Sequence, residues 1–202
     1  MITMIYYCRW NKEPESHDLL RRAVKEYLRT GDAAASRPVL DPDIDPEADL
    51  KINSAIASVQ EWEIAEREGG KPYFPEHPHI HFSISHSGGY WACAIAPKEV
   101  GLDLQEENAT ARAEKLAKRF FHPYEQAYLK SVNYREFTRI WAAKESYLKY
   151  TGEGIAGGME HFSVADPVTI DAVQTEISFD KDYKIVLTTA NSTEYRTKVL
   201  QK

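Results

Sequence analysis

Apolar positions along the chain follow two periods, and the changes from one to the other mark out its elements. Alternating or continuous apolar runs predict strands over Thr3–Cys8, over a hairpin within His77–Ala96 that turns at Ser85-His86-Ser87-Gly88-Gly89, and over Val100–Gln105. A 3.6-residue period predicts a helix over Glu15–Arg29, with Leu19, Leu20, Ala23, Val24, Tyr27 and Leu28 inward. The same period recurs over Ala109–Phe121, with Ala113, Leu116, Ala117 and Phe120 inward, and over Phe137–Lys149. Ala48–Ala57 reads as a short helix and Val59–Glu66 as extended, while Pro123 fits the first turn of a helix that holds Glu125 and Leu129. Breakers separate these elements: Gly31 stops the first helix, Pro38, Pro42 and Pro46 make Thr30–Asp49 a loop, and Gly69-Gly70-Lys71-Pro72 forces a turn that exposes Lys71. Gly152 and Gly154 close the long helix, beyond which strands are expected at Phe162–Ala165, Thr175–Phe179, Lys184–Thr189 and Glu194–Leu200.

Candidate chemistry gathers on two of these elements. In the Phe137–Lys149 helix, Phe137, Ile140, Trp141 and Leu148 form an apolar stripe, and Glu145 and Lys149, four apart, project together from its flank. An exposed ion pair of little energetic consequence is the plain account of such a pair. Lys144, however, falls inside the stripe, where a lysine must snorkel or meet an anion. In the Val100–Gln105 strand, Val100, Leu102 and Leu104 point one way, and Gly101, Asp103 and Gln105 the other. Asp103 and Glu145 thus offer hard carboxylate oxygens of the kind that hold Mg²⁺ beside substrate phosphates, and Lys149 and Lys71 could neutralise the remaining phosphate charge. Ser85 and His86 sit where a hydroxyl, an imidazole and turn amides could surround a phosphate, or where an ordinary hairpin turn needs nothing of them. His77, His79 and His81 could share a strand face, but no nearby Cys or acid completes a metal site. Arg112, Lys115, Lys118 and Arg119 lie outward on one short helix, as a solvated face or as a dock for an acidic partner.

Composition narrows the classes. A net charge of −6 over 202 residues lacks the basic field that general nucleic-acid binding needs, so no nucleic-acid partner is expected. The chain holds no long apolar run or signal-peptide layout, so the expectation is a cytoplasmic protein with no membrane partner. Cys8 and Cys93 lie in apolar strand-like stretches and read as buried free thiols.

The sequence V-G-L-D-L, followed some forty residues later by W-A-A-K-E-S-Y-L-K, resembles the paired signature of the 4'-phosphopantetheinyl transferases. The Gly69–Pro72 stretch, FSISHS at Phe82–Ser87, KRFF at Lys118–Phe121 and TGEGI at Thr151–Ile155 resemble further stretches of the surfactin-synthetase-activating class, in the same order. The resemblance implies an α+β fold of two pseudo-symmetric halves, each a small antiparallel sheet packed with helices, with the ligand between them. Here those halves would be residues 1–98 and 99–202 of one monomer. It also implies a Mg²⁺-dependent transfer of 4'-phosphopantetheine from coenzyme A to a serine of an apo acyl or peptidyl carrier protein, with adenosine 3',5'-bisphosphate released. Asp103 and Glu145 would bind the metal, Glu145 would serve as base, and Lys149 would stabilise the pyrophosphate with Lys144 in support. Lys71, Ser85 and His86 match nucleotide-phosphate positions, and Arg112 and Lys115 are the residues expected to meet the carrier.

Two departures stand out. Gln105 occupies a position where many members carry a second metal-binding acid; its carbonyl can ligate without charge, which would weaken Mg²⁺ or favour Mn²⁺. The N-terminal third is short, and His17, Arg21, Arg22 and Lys25 are the candidates for an expected phosphate-binding arginine. Two other readings share some of these residues: a metal-dependent nucleotide phosphohydrolase, and a coenzyme A binding module without chemistry.

Overall fold

The computed structural model describes residues 2–30, 48–107, 112–154 and 158–201. The first strand, β1 (Ile2–Arg9), leads into helix α1 (Ser16–Arg29), whose apolar stripe Leu19, Leu20, Ala23, Val24, Tyr27 and Leu28 is buried as its period requires. Asp18 in its first turn and Arg29 in its last complement the helix dipole. The loop expected over Thr30–Asp49 lies largely outside the described residues. Helix α2 (Ala48–Ser58) runs into a 3₁₀ turn at Val59–Glu61, so the extended stretch expected from Val59 begins only at Trp62.

A short ribbon, β2 (Ala65–Glu66) and β3 (Pro72–Tyr73), precedes the hairpin of β4 (His81–Ser87) and β5 (Tyr90–Ala96), and then comes β6 (Val100–Glu106). Helices α3 (Ala113–Phe120), α4 (Pro123–Ser131) and α5 (Phe137–Thr151) follow, and strands β7 (Val173–Ile177), β8 (Tyr183–Thr189) and β9 (Glu194–Val199) end the described chain. The fold is α+β, as expected: a four-stranded sheet in the order β4-β5-β1-β9, a three-stranded sheet β6-β8-β7, and the β2-β3 ribbon. Among the described residues all strand pairings are antiparallel except that of β1 with β9, where the last strand crosses back to extend the first sheet.

Among the described residues three cores hold these layers. One packs α1, Trp62 and Phe74 on a face of the first sheet. A second lies between the sheets, where Ala92, Ala94 and Ala96 present small side chains to Val100, Leu102 and Leu104. The third gathers α3, α4 and α5 around Phe121, Phe137 and Ile140. Cys8 and Cys93 are buried and stand outside any disulfide, and burial drives the Cys93 thiol far above its ordinary range. Among the described residues no helix is long and apolar enough to cross a membrane. The expected strand at Phe162–Ala165 is instead irregular, because its polar groups find local or side-chain partners. Ser163 N–H donates to Thr169 Oγ1 and Val164 N–H to Glu125 Oε1.

The two sheets meet along β4 and β6, which are edge strands of their respective sheets. An edge strand exposes every second amide. Here the amides of Leu102, Leu104 and Glu106 donate to the hydroxyls of Ser83 (2.9 Å), Ser85 (3.0 Å) and Ser87 (2.9 Å). The strand period of two places those three serines on one side of β4. FSISHS is therefore a side-chain ladder that stitches one sheet to the other.

Candidate active site

Helix α5 lies across β6 and β8, and Ser146 ties it there. Ser146 Oγ lies 3.2 Å from the Gly101 carbonyl oxygen and 2.6 Å from Thr188 Oγ1, which seats the helix on the second sheet. Gly101 is required by that approach: a Cβ there would lie 2.0 Å from the Ser146 carbonyl oxygen and 2.6 Å from the Tyr150 nitrogen. With Gly101 against the helix, Asp103 two residues on comes up beside Glu145 and Lys149.

Asp103 is 2 % exposed and holds three donors: Ser85 Oγ (2.8 Å) and Lys149 Nζ (2.7 Å) on Oδ1, and Gln105 Nε2 (2.8 Å) on Oδ2. Lys149 also donates to Ser85 Oγ at 3.0 Å. Glu145 is the unpartnered member: among the described residues no hydrogen bond or ion pair reaches its carboxylate. Burial first, and then the charge of Asp103, raise its pKa, with Lys149 opposing. Two carboxylates that repel one another, one of them without a donor, make a donor set that suits a hard divalent cation. Mg²⁺ is commonly held by one or two carboxylates together with water and phosphate oxygens. Gln105 is turned otherwise. A carboxylate can only accept, so the amide directs its NH₂ at Asp103 and its carbonyl away.

Glu145 and Lys149 form part of the wall of a groove of about 230 Å³ between α5 and the first half of the chain. Its other wall is the turn at Gly69–Pro72 with Phe82, Ser83 and Ile84 of β4. The turn and the end of α5 touch backbone to backbone: a Cβ on Gly69 would lie 1.7 Å from the Gly152 carbonyl oxygen. Gly152 takes the left-handed conformation, φ 79°, that closes α5, as the sequence implied.

The remaining sequence candidates fall elsewhere. Lys71 lines the groove with its stem, but the residue is only 8 % exposed. Its ammonium donates to Glu99 Oε2 (2.6 Å), Val100 O (3.0 Å) and Tyr150 O (3.2 Å). The turn was expected to expose it; instead it latches the first half to β6 and to the Tyr150 carbonyl near the end of α5. Burial pulls its pKa down, against Glu99. Burial pushes Glu99 up, but hydrogen bonds from His81 and Lys71 and the charge of Lys71 outweigh it and hold that carboxyl well below the usual range.

His86 does not join Ser85 around one point. Strand β4 runs on through Ser87, so the two side chains project to opposite sides, and the exposed His86 ring lies 4.9 Å from Trp10. Lys144 is 0 % exposed, its ammonium 2.6 Å from Glu125 Oε2 and 2.6 Å from Phe162 O. It meets its anion inside the protein, on the side of α5 away from the groove, and is corrected here from a phosphate contact to an interior ion pair. Arg112 and Lys115 lie exposed at the start of α3, with Lys118 paired to Glu114 and Arg119 over the Phe120 ring.

Of the N-terminal candidates, Arg21 is held by Asp18 and the Trp62 carbonyl, and Arg22 and Lys25 line a separate groove with Lys198. His77 stacks on Trp62, with ring centroids 3.5 Å apart, and among the described residues no cluster of three metal-ligating side chains forms. Glu99 and Glu125 were missed by sequence reasoning. His122-Pro123-Tyr124-Glu125 did carry a signal for the second, since the structure shows a capping box in which Glu125 accepts from the His122 amide.

Comparison with known proteins bears on the same half of the chain. The family model of the 4'-phosphopantetheinyl transferase superfamily matches residues 99–199, from Glu99 to the end of β9. A 4'-phosphopantetheinyl transferase of Bacillus subtilis is 38 % identical over 102 residues, which cover 48 % of this chain and 45 % of that protein. The 4'-phosphopantetheinyl transferase Sfp of Bacillus subtilis strain 168 is 35 % identical over the same shares, and HetI of a Nostoc species is 42 % identical over 37 % of this chain and 34 % of its own length. Each match spans less than half of the relative. The matched segment carries Asp103, Gln105, Glu145 and Lys149 on the elements that bring them together, and the chain belongs to the 4'-phosphopantetheinyl transferase superfamily.

Proposed function

We propose that this protein transfers 4'-phosphopantetheine from coenzyme A to a serine of an apo acyl or peptidyl carrier protein. The observation that carries the reading is the unpartnered Glu145 carboxylate beside Asp103 and Lys149, on the segment that matches the family. Serine is a poor nucleophile at neutral pH, and Glu145, whose carboxylate accepts no hydrogen bond among the described residues, is placed to take its proton, in its carboxylate form, directly or through a water. The serine oxygen bonds to the β-phosphorus of coenzyme A. The P–O bond to the α-phosphate breaks, and adenosine 3',5'-bisphosphate leaves with the electron pair. Lys149 stabilises the charge that gathers on the leaving phosphate. Asp103 and Glu145 would hold Mg²⁺, which when bound neutralises pyrophosphate charge and polarises the phosphorus under attack.

In this reading residues 1–98 and 99–202 supply the two walls, and a groove walled by one chain needs no second copy, so the protein acts as a monomer; a cytoplasmic location is part of the same proposal. The exposed Arg112 and Lys115 would steer an acidic carrier toward the groove. Release of adenosine 3',5'-bisphosphate from coenzyme A, measured with and without an apo carrier protein, tests the reaction class. Release that requires the carrier and stops with EDTA supports transfer. Release without any carrier would make the protein a phosphohydrolase, and no release with coenzyme A still bound would make it a binding module.

A further inference from the structure

Lys144, Glu145 and Ser146 leave α5 in three directions roughly 100° apart. Ser146 is tied to the second sheet through Gly101 and Thr188, and Glu145 faces the groove. Lys144 enters a closed hub. Its ammonium bonds to Glu125 and the Phe162 carbonyl and lies 4.2 Å from the Phe162 ring centroid and 5.5 Å from that of Phe121. Glu125 is itself 0 % exposed; Oε1 accepts from Val164 N–H at 2.7 Å and Oε2 from His122 N–H at 3.1 Å. The hub therefore joins three pieces of backbone: the start of α4, the middle of α5 and the irregular segment at 162–164.

Apolar pairs of similar volume often stabilise an interior as well as a buried ion pair does, so the two charges by themselves are weak evidence of a stabilising role. Directional charge-assisted hydrogen bonds do what apolar contacts cannot: they fix rotation. A carboxylate about 6 Å from a helix axis moves roughly 2 Å when the helix turns by about 20°.

We infer that Glu125 and Lys144 are a positioning pair that sets the rotation of α5, and with it the bearing of Glu145 and Lys149 toward Asp103. The inference rests on the functional reading above, in which those two groups act on the transferred phosphate.

The test compares wild type, Lys144→Arg and the double variant Glu125→Leu/Lys144→Met, each with Mg²⁺, coenzyme A and apo carrier. The double variant orphans the Val164 and His122 amides and is expected to melt lower than wild type, yet, where it folds, to bind coenzyme A within about three-fold by calorimetry while kcat falls at least about ten-fold. Lys144→Arg, which keeps the charge and its hydrogen bonds, is expected to retain most of kcat. A double variant with wild-type kcat would overturn the inference. So would an unchanged kcat with coenzyme A affinity down about ten-fold or more, since that places Lys144 on the ligand. If the double variant does not fold, Glu125→Gln gives the same comparison at nearly constant volume. Hydrogen exchange separates this inference from the functional reading. The Val164 amide and the amides of α5 should exchange faster in the double variant whether or not wild type transfers anything; unchanged exchange would refute the pair's role, and an inactive wild type would refute the reaction instead.

Discussion

Gly101→Ala is the sharpest perturbation of the site that removes no functional side chain. The new methyl would sit 2.0 Å from the Ser146 carbonyl oxygen, 2.6 Å from the Tyr150 nitrogen and 2.8 Å from the Tyr150 Cβ. Two of these are helix backbone and cannot swing aside. To reach ordinary contact, β6 and α5 must part by roughly 1 to 1.5 Å. Overpacking of this kind costs about 1 to 3 kcal/mol, and for a chain of this length each kcal/mol lowers Tm by roughly 2 to 4 °C. The upper end is expected, because strand and helix backbone meet directly, and thus a fall of about 6 to 12 °C.

The functional effect should be larger. Asp103 rides on β6, and Glu145 and Lys149 on α5, so the same displacement opens the cluster in which Lys149 Nζ now lies 2.7 Å from Asp103 Oδ1. A misplacement of about 1 Å can cost on the order of 100-fold in rate. Thermal unfolding and single-turnover transfer to a carrier, on the same preparations at saturating coenzyme A, measure both effects. A variant that keeps wild-type Tm and wild-type rate would show that the close seating of α5 on Gly101 does not govern the site.

Glu145→Gln should abolish transfer with the fold intact, and an active variant would remove Glu145 from its role as base. Because burial and Asp103 raise the Glu145 pKa in the folded protein, its contribution to stability is full below the ordinary glutamate range and is lost as pH rises through the raised value. In EDTA the Gln variant should therefore be at least as stable as wild type at neutral pH, with any advantage gone in acid; a variant less stable at pH 7 would contradict the assigned direction. Ser85→Ala orphans the Leu104 amide and removes a donor from Asp103, and should cost about 1 to 3 kcal/mol in urea unfolding; no loss would argue against the serine ladder as a structural joint. Charge reversal at Arg112 and Lys115 should lower kcat/KM for the carrier at low ionic strength and progressively less as salt rises, and an effect independent of salt would speak against electrostatic steering.

The periodic elements were readable from the residues because local pattern determines them: the inner face of α1, the Val100–Leu104 alternation and the extent of α5 follow from spacing alone. The meeting of Asp103 with Glu145 and Lys149 was readable from motif order. Partnership was less so. That Glu194–Val199 is a strand follows from its pattern, but its parallel place beside β1 depends on a crossover that no local pattern encodes. For Lys71, Lys144 and Ser85, residue type alone does not distinguish a ligand contact from a structural bond. A lysine stem has the same sequence signature whether its ammonium ends on a phosphate, on Glu99 or on Glu125. Ser85 and His86 looked like part of a phosphate turn because the turn was expected to begin at Ser85, whereas strand β4 runs on through Ser87 and leaves only Gly88 and Gly89 to the turn. Position 101 shows the converse: its glycine is obligatory for a long-range reason, the backbone of α5, which appears only once strand and helix are packed.

The central claim is tested most directly by intact-mass spectrometry of apo acyl and peptidyl carrier proteins after incubation with this protein, coenzyme A and Mg²⁺. The account predicts a gain of one phosphopantetheinyl group, about 340 Da, on a carrier, absent with Glu145→Gln and absent in EDTA. No gain on any carrier, with Mg²⁺ or with Mn²⁺, would contradict it.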